Sequence, residues 1–521
     1  MMRFAPALAA ALLLSTAVSA SAQRSASPAA AQRAAPTAEA RTRAALERIE
    51  EENPRLGAVI ATDPNALQQA RQLDRSRGPR GPLFGVPILI KDNIESAGPL
   101  PTTAGSLALA DNVTGRDAPL VARLRRSGLV ILGKTNLSEW ANIRDNSSIS
   151  GWSAVGGQTR NPYAYNRNPC GSSSGSAAAV AAGFAPVAIG TETDGSITCP
   201  AAINGIVGFK PSVGLVSRSR IIPISVSQDT AGPMALTVRD AAMVLDVIAG
   251  SDPTDPATAE ADRRRVAYAA QLDANSLRGK RIGVMRYAAG FGTDELLDQA
   301  LATLRAQGAI LVDIAEFPGR QEIGRNELTV LLHEFKAGLN DYLATTDPAR
   351  VRTRTLADVI AFNQANPREL ALFGQGNFVA AQATDGLQSR AYREARATSL
   401  RLAGPEGIDR ILRQNNLVAL VGPTMPASWP IDVVHGDQIS GGGGGGAAAV
   451  AGYPHLTVPM GLLKGLPVGL SFIGPKWSDA AILSLGYAYE QASHRRVPPR
   501  FLPSIEQAPE IAPLLLPPRR N

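Results

Sequence analysis

Short apolar runs recur along this chain and alternate with stretches of helical periodicity. A continuous apolar run of this length is typical of a strand that is buried on both faces of a sheet. The predicted strands are Gly57–Ile60, Gly85–Asp92, Leu129–Gly133, Val187–Ile189, Arg281–Val284, Val418–Val421 and Val468–Ile473. The predicted helices between them include Val121–Arg126, Ser176–Ala182 and Val238–Ala249. This alternation predicts an α/β fold with a mixed, largely parallel central sheet that helices cover on both faces.

The N-terminus has the pattern of a secretory signal. Arg3 precedes an apolar run from Ala5 to Val18, and small residues in an A-x-A pattern end at Ala22. This pattern predicts a signal peptide over residues 1–22 that is removed after Ala22. The run is too short for a permanent membrane span, although an uncleaved anchor is the alternative. We expect a periplasmic or secreted protein with no membrane attachment after cleavage.

The rest of the chain is predicted to form one large domain. Residues 23–40 are rich in Ala, Ser, Pro and Gln and indicate a flexible lead-in. The domain is predicted over residues 41–500, with a helical insert at about 290–415, and residues 501–521 form a C-terminal tail. The chain is 45% hydrophobic, which supplies enough apolar material for a large core. We expect the protein to be a monomer.

Charge and metal-ligand content argue against several classes of function. The net charge of +7 is spread thinly, and the one basic run, Arg263–Arg265, lacks the interleaved aromatics of a nucleic-acid site. Four histidines are scattered without ligand spacing. The two cysteines, Cys170 and Cys199, show no metal-site spacing either, although an oxidising compartment permits a bridge between them. We therefore expect no nucleic-acid partner, no catalytic metal and no cofactor.

Lys91 ends the apolar run Ile88–Ile90. Lysine is rarely buried unless it has a partner or a lowered pKa. At the carboxyl end of a strand in an open α/β sheet, its side chain would lie at the usual ligand crevice. The alternative is a lysine that extends along the strand end towards solvent. On this residue alone, that alternative is at least as good.

Two loops rich in glycine and hydroxyl side chains are the other candidates. Pro169–Ser176 runs directly into an alanine-rich helix and can present N–H groups and hydroxyls to a carbonyl or an anion. Gly190–Ala202 follows a strand and can form an oxyanion hole in front of the hydroxyl of Ser196. The alternatives are a flexible linker and a plain tight turn. Gly171–Gly175 also matches the G-x-S-x-G elbow with Ser173 as nucleophile, but no strand precedes it, as that motif requires.

The chain resembles the amidase-signature family over roughly residues 40–495. The motifs that carry the resemblance are Gly85–Asp92, Thr102–Ser106, Gly133–Trp140, Gly171–Ala177, Gly190–Ile197, Gly205–Pro211, Asp229–Met234, Ala451–Pro454 and Val458–Gly461. The resemblance implies a serine-dependent hydrolase that cleaves linear amides. Ser196 is implied as the nucleophile that becomes acylated, Ser172 as the proton relay with a cis peptide bond before it, and Lys91 as the neutral base. The backbone N–H groups of Thr193, Asp194, Gly195 and Ser196 are implied as the oxyanion hole.

Two departures from the usual family pattern bear on the substrate. Asp194 stands where most members have glycine, and Thr198 stands where most have arginine. Several segments are similar in sequence to bacterial peptide amidases, which release ammonia from the C-terminal amide of peptides. They are Gly190–Ser196 with Cys199 and Pro200, Trp140–Asn142, Ser150–Ser153 and Gly157–Tyr163. A peptide amide is therefore the expected substrate, and a small aliphatic or aromatic amide is the alternative.

Several residues and segments are candidates for the substrate site. Asp194 offers a carboxylate beside the scissile group, and Ser173 and Trp152 are further candidate contacts. For Trp152, a place in the core is at least as good an interpretation. The glycine run Gly441–Gly446 indicates a flexible loop, with a lid or a wall of the cleft as the alternative. An amidotransferase-type subunit is a less favoured hypothesis because its substrates are cytoplasmic, and a non-catalytic protein is disfavoured by the presence of all three catalytic residue types.

Overall fold

The computed structural model describes residues 36–78 and 80–517. The predicted signal peptide lies outside the described residues, as does residue range 23–35 of the predicted lead-in. Residues 37–517 belong to one compact unit. Within the described ranges, no helix combines the length and the apolar character needed to cross a bilayer.

Thirteen strands are present in the described residues. They are β1 (Val59–Thr62), β2 (Pro87–Lys91), β3 (Val130–Thr135), β4 (Trp152–Ser153), β5 (Gly157–Gln158), β6 (Val187–Glu192), β7 (Val207–Lys210), β8 (Thr230–Ala235), β9 (Arg281–Met285), β10 (Ile310–Ile314), β11 (Ala419–Pro423), β12 (His455–Leu463) and β13 (Leu466–Ile473). All except β4 and β5 belong to one sheet with the order β1-β3-β2-β6-β8-β7-β12-β13-β11-β9-β10.

The mixed α/β fold is confirmed, but parallel strands do not predominate in the sheet. Parallel pairs occur in two blocks, β3-β2-β6 and β11-β9-β10, and the other pairs are antiparallel. The middle of the sheet is antiparallel because β12 and β13 form a hairpin with a tight turn at Lys464 and Gly465. β8 and β12 are not among the predicted strands, since Pro233 and Pro459 interrupt their apolar character.

Fifteen α-helices accompany the strands in the described residues. They are α1 (Ala38–Leu56), α2 (Ala66–Arg75), α3 (Pro119–Arg126), α4 (Ser174–Ala181), α5 (Thr198–Ile203), α6 (Val238–Ile248), α7 (Ala261–Arg264), α8 (Asp294–Ala306), α9 (Arg320–Ala344), α10 (Leu356–Ala365), α11 (Gly376–Gln382), α12 (Arg390–Ala403), α13 (Asp409–Asn415), α14 (Gly446–Ala451) and α15 (Asp479–Ser493).

Helices cover the sheet on both faces, as predicted. Along β2, Ile88 and Ile90 pack into one apolar cluster with α3, α6, α8 and α15, whereas Leu89 packs into another with α1, α2 and α4. Alternate residues of a strand point to opposite faces, so a strand buried on both faces must be apolar throughout. This is why the apolar runs locate the strands.

The predicted helical insert contributes to the sheet as well as to the helical layer. Between residues 290 and 415 the chain forms α8 to α13, but it also supplies β10, which pairs in parallel with β9 at one edge. Ile310 and Asp313 of β10 are exposed, as is usual in an edge strand. Helix α9 packs through Phe335 and Leu339 into an apolar cluster with α10 and α11.

Candidate active site

The carboxyl ends of β2 and β6 meet at one edge of the sheet. β2 ends at Lys91 and lies parallel to β6, which ends at Glu192. Ser172 lies in the loop before α4, and Ser196 lies in the loop between β6 and α5. α/β sheets usually bind ligands at the carboxyl ends of their strands. The structure therefore brings the three residues implied by the resemblance to one crevice.

Lys91 is fully buried and is held by two hydroxyl groups. Its Nζ donates to Ser172 Oγ at 2.7 Å, to Thr191 Oγ1 at 2.8 Å and to the Thr191 carbonyl oxygen at 3.3 Å. Burial lowers the pKa of Lys91 to about 7, although the carboxylates of Asp229 and Glu192 act in the opposite direction. A lysine with this pKa has a substantial neutral fraction at neutral pH, as a general base requires.

The two serine loops are joined to each other beside Lys91. The peptide bond between Gly171 and Ser172 is cis, as the resemblance implies. The backbone N–H of Ser173 donates to the carbonyl oxygen of Ser196 at 3.1 Å. Of the three side chains, only Lys91 and Ser172 are hydrogen-bonded to each other in the described residues. Catalytic hydrogen bonds often form fully only when substrate is bound, so the link from Ser172 to Ser196 is expected to form in the substrate complex.

A disulfide bond between Cys170 and Cys199 ties the same two loops together. The two residues are separated by 29 positions in the sequence, and both are buried. A crosslink that closes a loop of this length stabilises a protein by about 3–4 kcal/mol, chiefly by restricting the unfolded chain. The sequence leaves open whether these cysteines pair, and the structure shows that they do.

Removing the disulfide is expected to lower both stability and turnover. The variant Cys170→Ala/Cys199→Ala is expected to lose about 3 kcal/mol of unfolding free energy in urea titrations. It is also expected to have a lower kcat, because Ser172 and Ser196 then depend on hydrogen bonds alone for their alignment. Dithiothreitol should reproduce the stability loss in the native protein and leave the double variant unchanged. Equal unfolding midpoints in all four samples would contradict this prediction.

Backbone N–H groups without acceptors surround Ser196. Those of residues 194–196 donate to no acceptor in residues 36–78 and 80–517. The next two, of Ile197 and Thr198, donate to Glu192 Oε2 at 2.7 and 2.9 Å. Gly195 has a φ of 75°, a left-handed conformation that glycine adopts without strain. The Glu192 carboxylate thus fixes the start of α5, and the turn before it leaves its N–H groups free for a ligand.

Ser196 opens onto a cavity of about 350 Å³. Residues of both serine loops form its polar end (Gly171, Thr193, Asp194, Gly195), and apolar side chains form its walls (Ile143, Ile224, Leu331, Met425, Ile439). A second cavity of about 300 Å³ adjoins it and shares Asp194, Gly195, Cys199 and Met425. The two together form a cleft with mainly apolar walls and a few polar groups, as substrate sites usually have.

A larger cavity of about 530 Å³ lies on the other side of Thr191 and Thr193. Asn93 and Asp229 line it, together with Arg218 nearer the surface. Ser196 does not line this cavity, although Thr193 is shared by both. Since the candidate nucleophile is reached from the cleft, the larger space is not the reaction chamber.

Two of the three predicted substrate contacts lie outside the cleft. Ser173 is fully buried, and its hydroxyl donates to the Thr191 carbonyl oxygen at 3.1 Å and accepts from the Thr191 N–H at 3.2 Å. Trp152 packs edge-on against Phe373 at 5.3 Å between ring centroids and is buried. Packing and backbone hydrogen bonds occupy both side chains, and neither of them lines the cleft. Asp194 does line the cleft.

The glycine run is a wall of the cleft. Gly442–Gly446 line the second cavity, and α14 begins at Gly446. A Cβ at Gly443 would lie 2.6 Å from the Thr424 carbonyl oxygen, and a Cβ at Gly444 would lie 2.6 Å from Met285 Sδ. Close packing, and not only flexibility, requires glycine here. The structure therefore supports the interpretation of this run as a wall of the cleft. The sequence alone favours a flexible loop over this interpretation.

Three polar residues that hold the site are not singled out by the sequence. Thr191 contacts Lys91, as described above. Asp229 accepts from Thr193 Oγ1 at 2.5 Å and from the N–H of Ile224 and Ser225, and burial raises its pKa to about 6. Asp437 lines the cavity and accepts from Ser150 and Trp429. Thr191 and Asp229 lie inside motifs of the resemblance, but Asp437 sits in a loop without any pattern.

The described residues contain no group of three or more His, Cys, Asp or Glu side chains that could hold a metal ion. His455, which lines the second cavity, is buried and its Nε2 lies 2.6 Å from Ser471 Oγ. The reactive groups that meet at the cleft are a lysine, two serines and backbone N–H groups. Such a set can carry out acyl transfer, with nucleophile, base and oxyanion donors in one place.

Comparison with known proteins agrees with this geometry. The family model described as Amidase matches residues 40–483. The chain belongs to the amidase family. A probable amidase from Arabidopsis thaliana is 42% identical to it over 472 residues, which cover 88% of this chain and 87% of the relative.

Two solved structures are similar to this chain over most of its length. The native peptide amidase from Stenotrophomonas maltophilia is 54% identical, with a TM-score of 0.84, and the match covers 89% of this amidase and 96% of that chain. An amidase family protein from Bacillus anthracis is 36% identical, with a TM-score of 0.81, and the match covers 89% of each chain. The protein is thus an amidase-family hydrolase that acts on an amide substrate.

Proposed function

We propose that this amidase hydrolyses the C-terminal carboxamide of peptides and releases ammonia through an acyl-enzyme on Ser196. The observation that carries the chemistry is the buried hydrogen bond from Lys91 Nζ to Ser172 Oγ beside the free N–H groups of the Ser196 loop. The peptide preference is supported by the similarity to the Stenotrophomonas peptide amidase over most of both chains. The length of the cleft, which continues past Asp194, also supports it.

The proposed reaction begins with attack of Ser196 Oγ on the carboxamide carbon. The Ser196 proton passes to Ser172 Oγ, while the proton of Ser172 passes to neutral Lys91 Nζ. The N–H groups of residues 193–196 stabilise the negative charge that develops on the carbonyl oxygen. Collapse of the tetrahedral intermediate breaks the C–N bond, and the proton returns through Ser172 to the leaving ammonia. Water then hydrolyses the ester on Ser196 through the same relay, which restores the free serine.

Ammonia release from matched substrates tests this proposal. Peptide amides, small aliphatic and aromatic amides, and the corresponding free acids are compared at equal concentration, with Ser196→Ala as the blank. We expect peptide amides to have the highest kcat/KM. A clear advantage for small amides would replace the peptide proposal with a broad amide hydrolase, which similarity to the Arabidopsis relative also allows. Ammonia released only when an acceptor protein is added would favour an amidotransferase-type subunit.

The proposed base predicts the dependence of activity on pH. Only neutral Lys91 accepts a proton, and its pKa of about 7 means that this form is lost as the pH falls through neutrality. We expect kcat/KM to decrease about tenfold for each pH unit below 7 and to level off above about pH 8. The profile is measured with one peptide amide in buffers of constant ionic strength. A kcat/KM that stays constant from about pH 5.5 to 8.5 would contradict a neutral lysine base.

Asp194 is proposed to select an unsubstituted amide as the leaving group. Its carboxylate lines the cavity of Ser196 and accepts no hydrogen bond from the described residues, so an amide NH2 can donate to it. Asp194→Gly is expected to retain the acyl transfer of Ser196 but to reduce the preference for amides over anilides and esters by about tenfold. Asp194→Asn is the matched control for size. If the ratio of kcat/KM for the amide to kcat/KM for the anilide or the ester is identical in all three proteins, Asp194 does not select the leaving group.

We also propose that the protein is exported and acts as a monomer in the periplasm or outside the cell. The support is the pattern of residues 1–22 together with the Cys170–Cys199 disulfide, which an oxidising compartment favours. N-terminal sequencing of the protein from its native host tests export and should begin at Gln23. A chain that starts at Met1 in the soluble cytoplasmic fraction would contradict this proposal.

A further inference from the structure

The second cavity of the cleft adjoins the Ser196 cavity at Asp194 and Gly195. The glycine wall Gly442–Gly446 forms one side of it, and Glu327 of α9 lies on another. A group that enters here reaches the cleft at residues next to Ser196. The second cavity therefore suits a portion of the substrate that extends away from the scissile bond.

Two carboxyl groups face this cavity with unused hydrogen-bonding capacity. Asp194 accepts no hydrogen bond from the described residues, and it is exposed to the cavities. Glu327 accepts one, from Gln228 Nε2 at 2.7 Å, through Oε1. Burial and the charge of Asp194 raise the pKa of Glu327 to about 8. Asp194 is open to the cavities but enclosed within the cleft, and this desolvation together with the charge of Glu192 raises its pKa to about 6. When two carboxyl groups are near each other, the charge of one opposes ionisation of the other. A bound cation removes this repulsion and favours the ionised form of both.

A buried histidine adds a third acceptor, independent of the acidic pair. His455 lines the cavity, is 1% exposed, and its Nδ1 has no hydrogen-bond partner in the described part of the chain. Ser471 donates to Thr424 Oγ1 at 2.9 Å, so it accepts from His455 Nε2–H, and Nδ1 carries the lone pair. Burial lowers the pKa of His455 to about 3, which keeps the ring neutral.

The glycine wall makes room at this acceptor. A Cβ at Gly445 would lie 2.9 Å from His455 Cε1 and 3.2 Å from its Nδ1, and a Cβ at Gly446 would lie 3.5 Å from Asp194 Oδ2. Side chains at these two positions would cover both acceptors. The absence of side chains along the wall therefore leaves Asp194 open to a ligand, and it leaves the buried His455 Nδ1 with no side chain packed against it from Gly445.

The cations near this cavity are engaged elsewhere. Arg320 lines it, but its guanidinium donates to the carbonyl oxygens of Gly443 at 2.9 Å and Tyr287 at 3.5 Å, and it lies over the Tyr287 ring. Lys210 is buried, contacts the Pro211 carbonyl oxygen at 3.5 Å, and does not line the cavity. No salt bridge in the described residues involves Asp194 or Glu327. Both carboxyl groups therefore keep oxygens that can accept hydrogen bonds from a ligand.

From these contacts we propose that the second cavity is a subsite for a cationic group of the substrate, either an alkyl ammonium or a guanidinium, held by Asp194, Glu327 and His455 Nδ1. This inference rests on the proposed function, because the cation belongs to the acyl portion of the amide substrate. The three acceptors are not close enough to form a metal site. Because they lie on different sides of the cavity, they match a cation with several N–H donors.

Binding to the inactive Ser196→Ala protein tests the subsite separately from catalysis. Isothermal titration compares Nα-acetyl-argininamide with Nα-acetyl-citrullinamide, which differ in the charge of the side chain. It also compares leucinamide with Nα-acetyl-leucinamide, which differ in the charged α-amino group. We expect at least one cationic ligand to bind about tenfold more tightly than its neutral partner. The pair that shows the preference identifies whether a side chain or the α-ammonium occupies the subsite.

Glu327→Gln in the same background is expected to reduce this preference to less than about threefold, because the amide keeps the hydrogen bond to Gln228 but cannot become negative. Glu322→Gln, an exposed glutamate of the same helix, is the matched control and should leave it unchanged. Equal binding within both pairs, no detectable binding of the cationic ligands, or a preference that survives Glu327→Gln would overturn the subsite. A retained preference in a protein that releases no ammonia from any amide would instead overturn the proposed function alone.

Discussion

Replacing Ser196 with alanine is expected to reduce kcat by about six orders of magnitude, to the detection limit of an ammonia assay. The hydroxyl faces the cleft beside the free N–H groups of residues 194–196, and no other hydroxyl described here has that environment. Loss of the nucleophile removes the covalent route, and the remaining groups can only bind the amide. The measurement is ammonia release from a peptide amide at saturating concentration, with circular dichroism to confirm folding.

Ser173→Ala is the control that separates two interpretations of the same loop. The G-x-S-x-G pattern makes Ser173 a nucleophile, whereas the structure gives its hydroxyl to the backbone of Thr191. We expect Ser173→Ala to lose stability, by about 1–3 kcal/mol, and to keep much more activity than Ser196→Ala. A Ser173 variant that is as inactive as the Ser196 variant, while still folded, would assign the nucleophile to the elbow.

Replacing Lys91 with methionine is expected to lower kcat/KM by about 100- to 10,000-fold. Methionine fills a similar volume in this fully buried position but cannot accept a proton from Ser172. The residual activity should lose the decrease below pH 7, since the group responsible for it is gone. Kinetics from about pH 5.5 to 8.5 measure both effects.

The double variant Lys91→Met/Ser196→Ala checks that the two residues act as one unit. The effects on kcat of removing groups that carry out one proton transfer together are strongly non-additive. The double variant is therefore expected to have a kcat no lower than that of Ser196→Ala. A Lys91→Met protein with nearly normal kcat/KM and an unchanged pH profile would show that Lys91 is only a packed side chain.

The strands of this fold can be predicted where their residues are apolar on both faces. Ile88, Leu89 and Ile90 pack alternately into two core clusters, which is why the run before Lys91 is continuous. Strand direction is harder to predict, because it depends on which strands become neighbours far along the chain. The sequence does not predict β8 and β12, because Pro233 and Pro459 are residues typical of turns. Without these two strands, the antiparallel middle of the sheet cannot be predicted either.

In the candidate site, too, features that depend on neighbouring residues in the sequence can be predicted, whereas contacts between distant residues cannot. Lys91, Ser172 and Ser196 each lie in a local pattern, and the family resemblance joins them. The environment of a side chain depends on residues that are distant in the sequence. Trp152 is buried because it packs against Phe373. Glu327 lies in the same cavity as Asp194, although the two are far apart along the chain. Glycine content alone indicates a flexible segment at 441–446, whereas Thr424 and Met285 pack against it.

The covalent intermediate is the most direct test of the central claim. A peptide amide is mixed with the protein, the reaction is stopped with acid within milliseconds, and intact mass followed by peptide mapping locates any adduct. The proposed mechanism predicts a mass increase equal to the peptide acyl group, on Ser196 in the native protein and absent in Ser196→Ala. An adduct on Ser172 or Ser173, or ammonia release at the steady-state rate with no adduct under conditions where deacylation limits turnover, would contradict it.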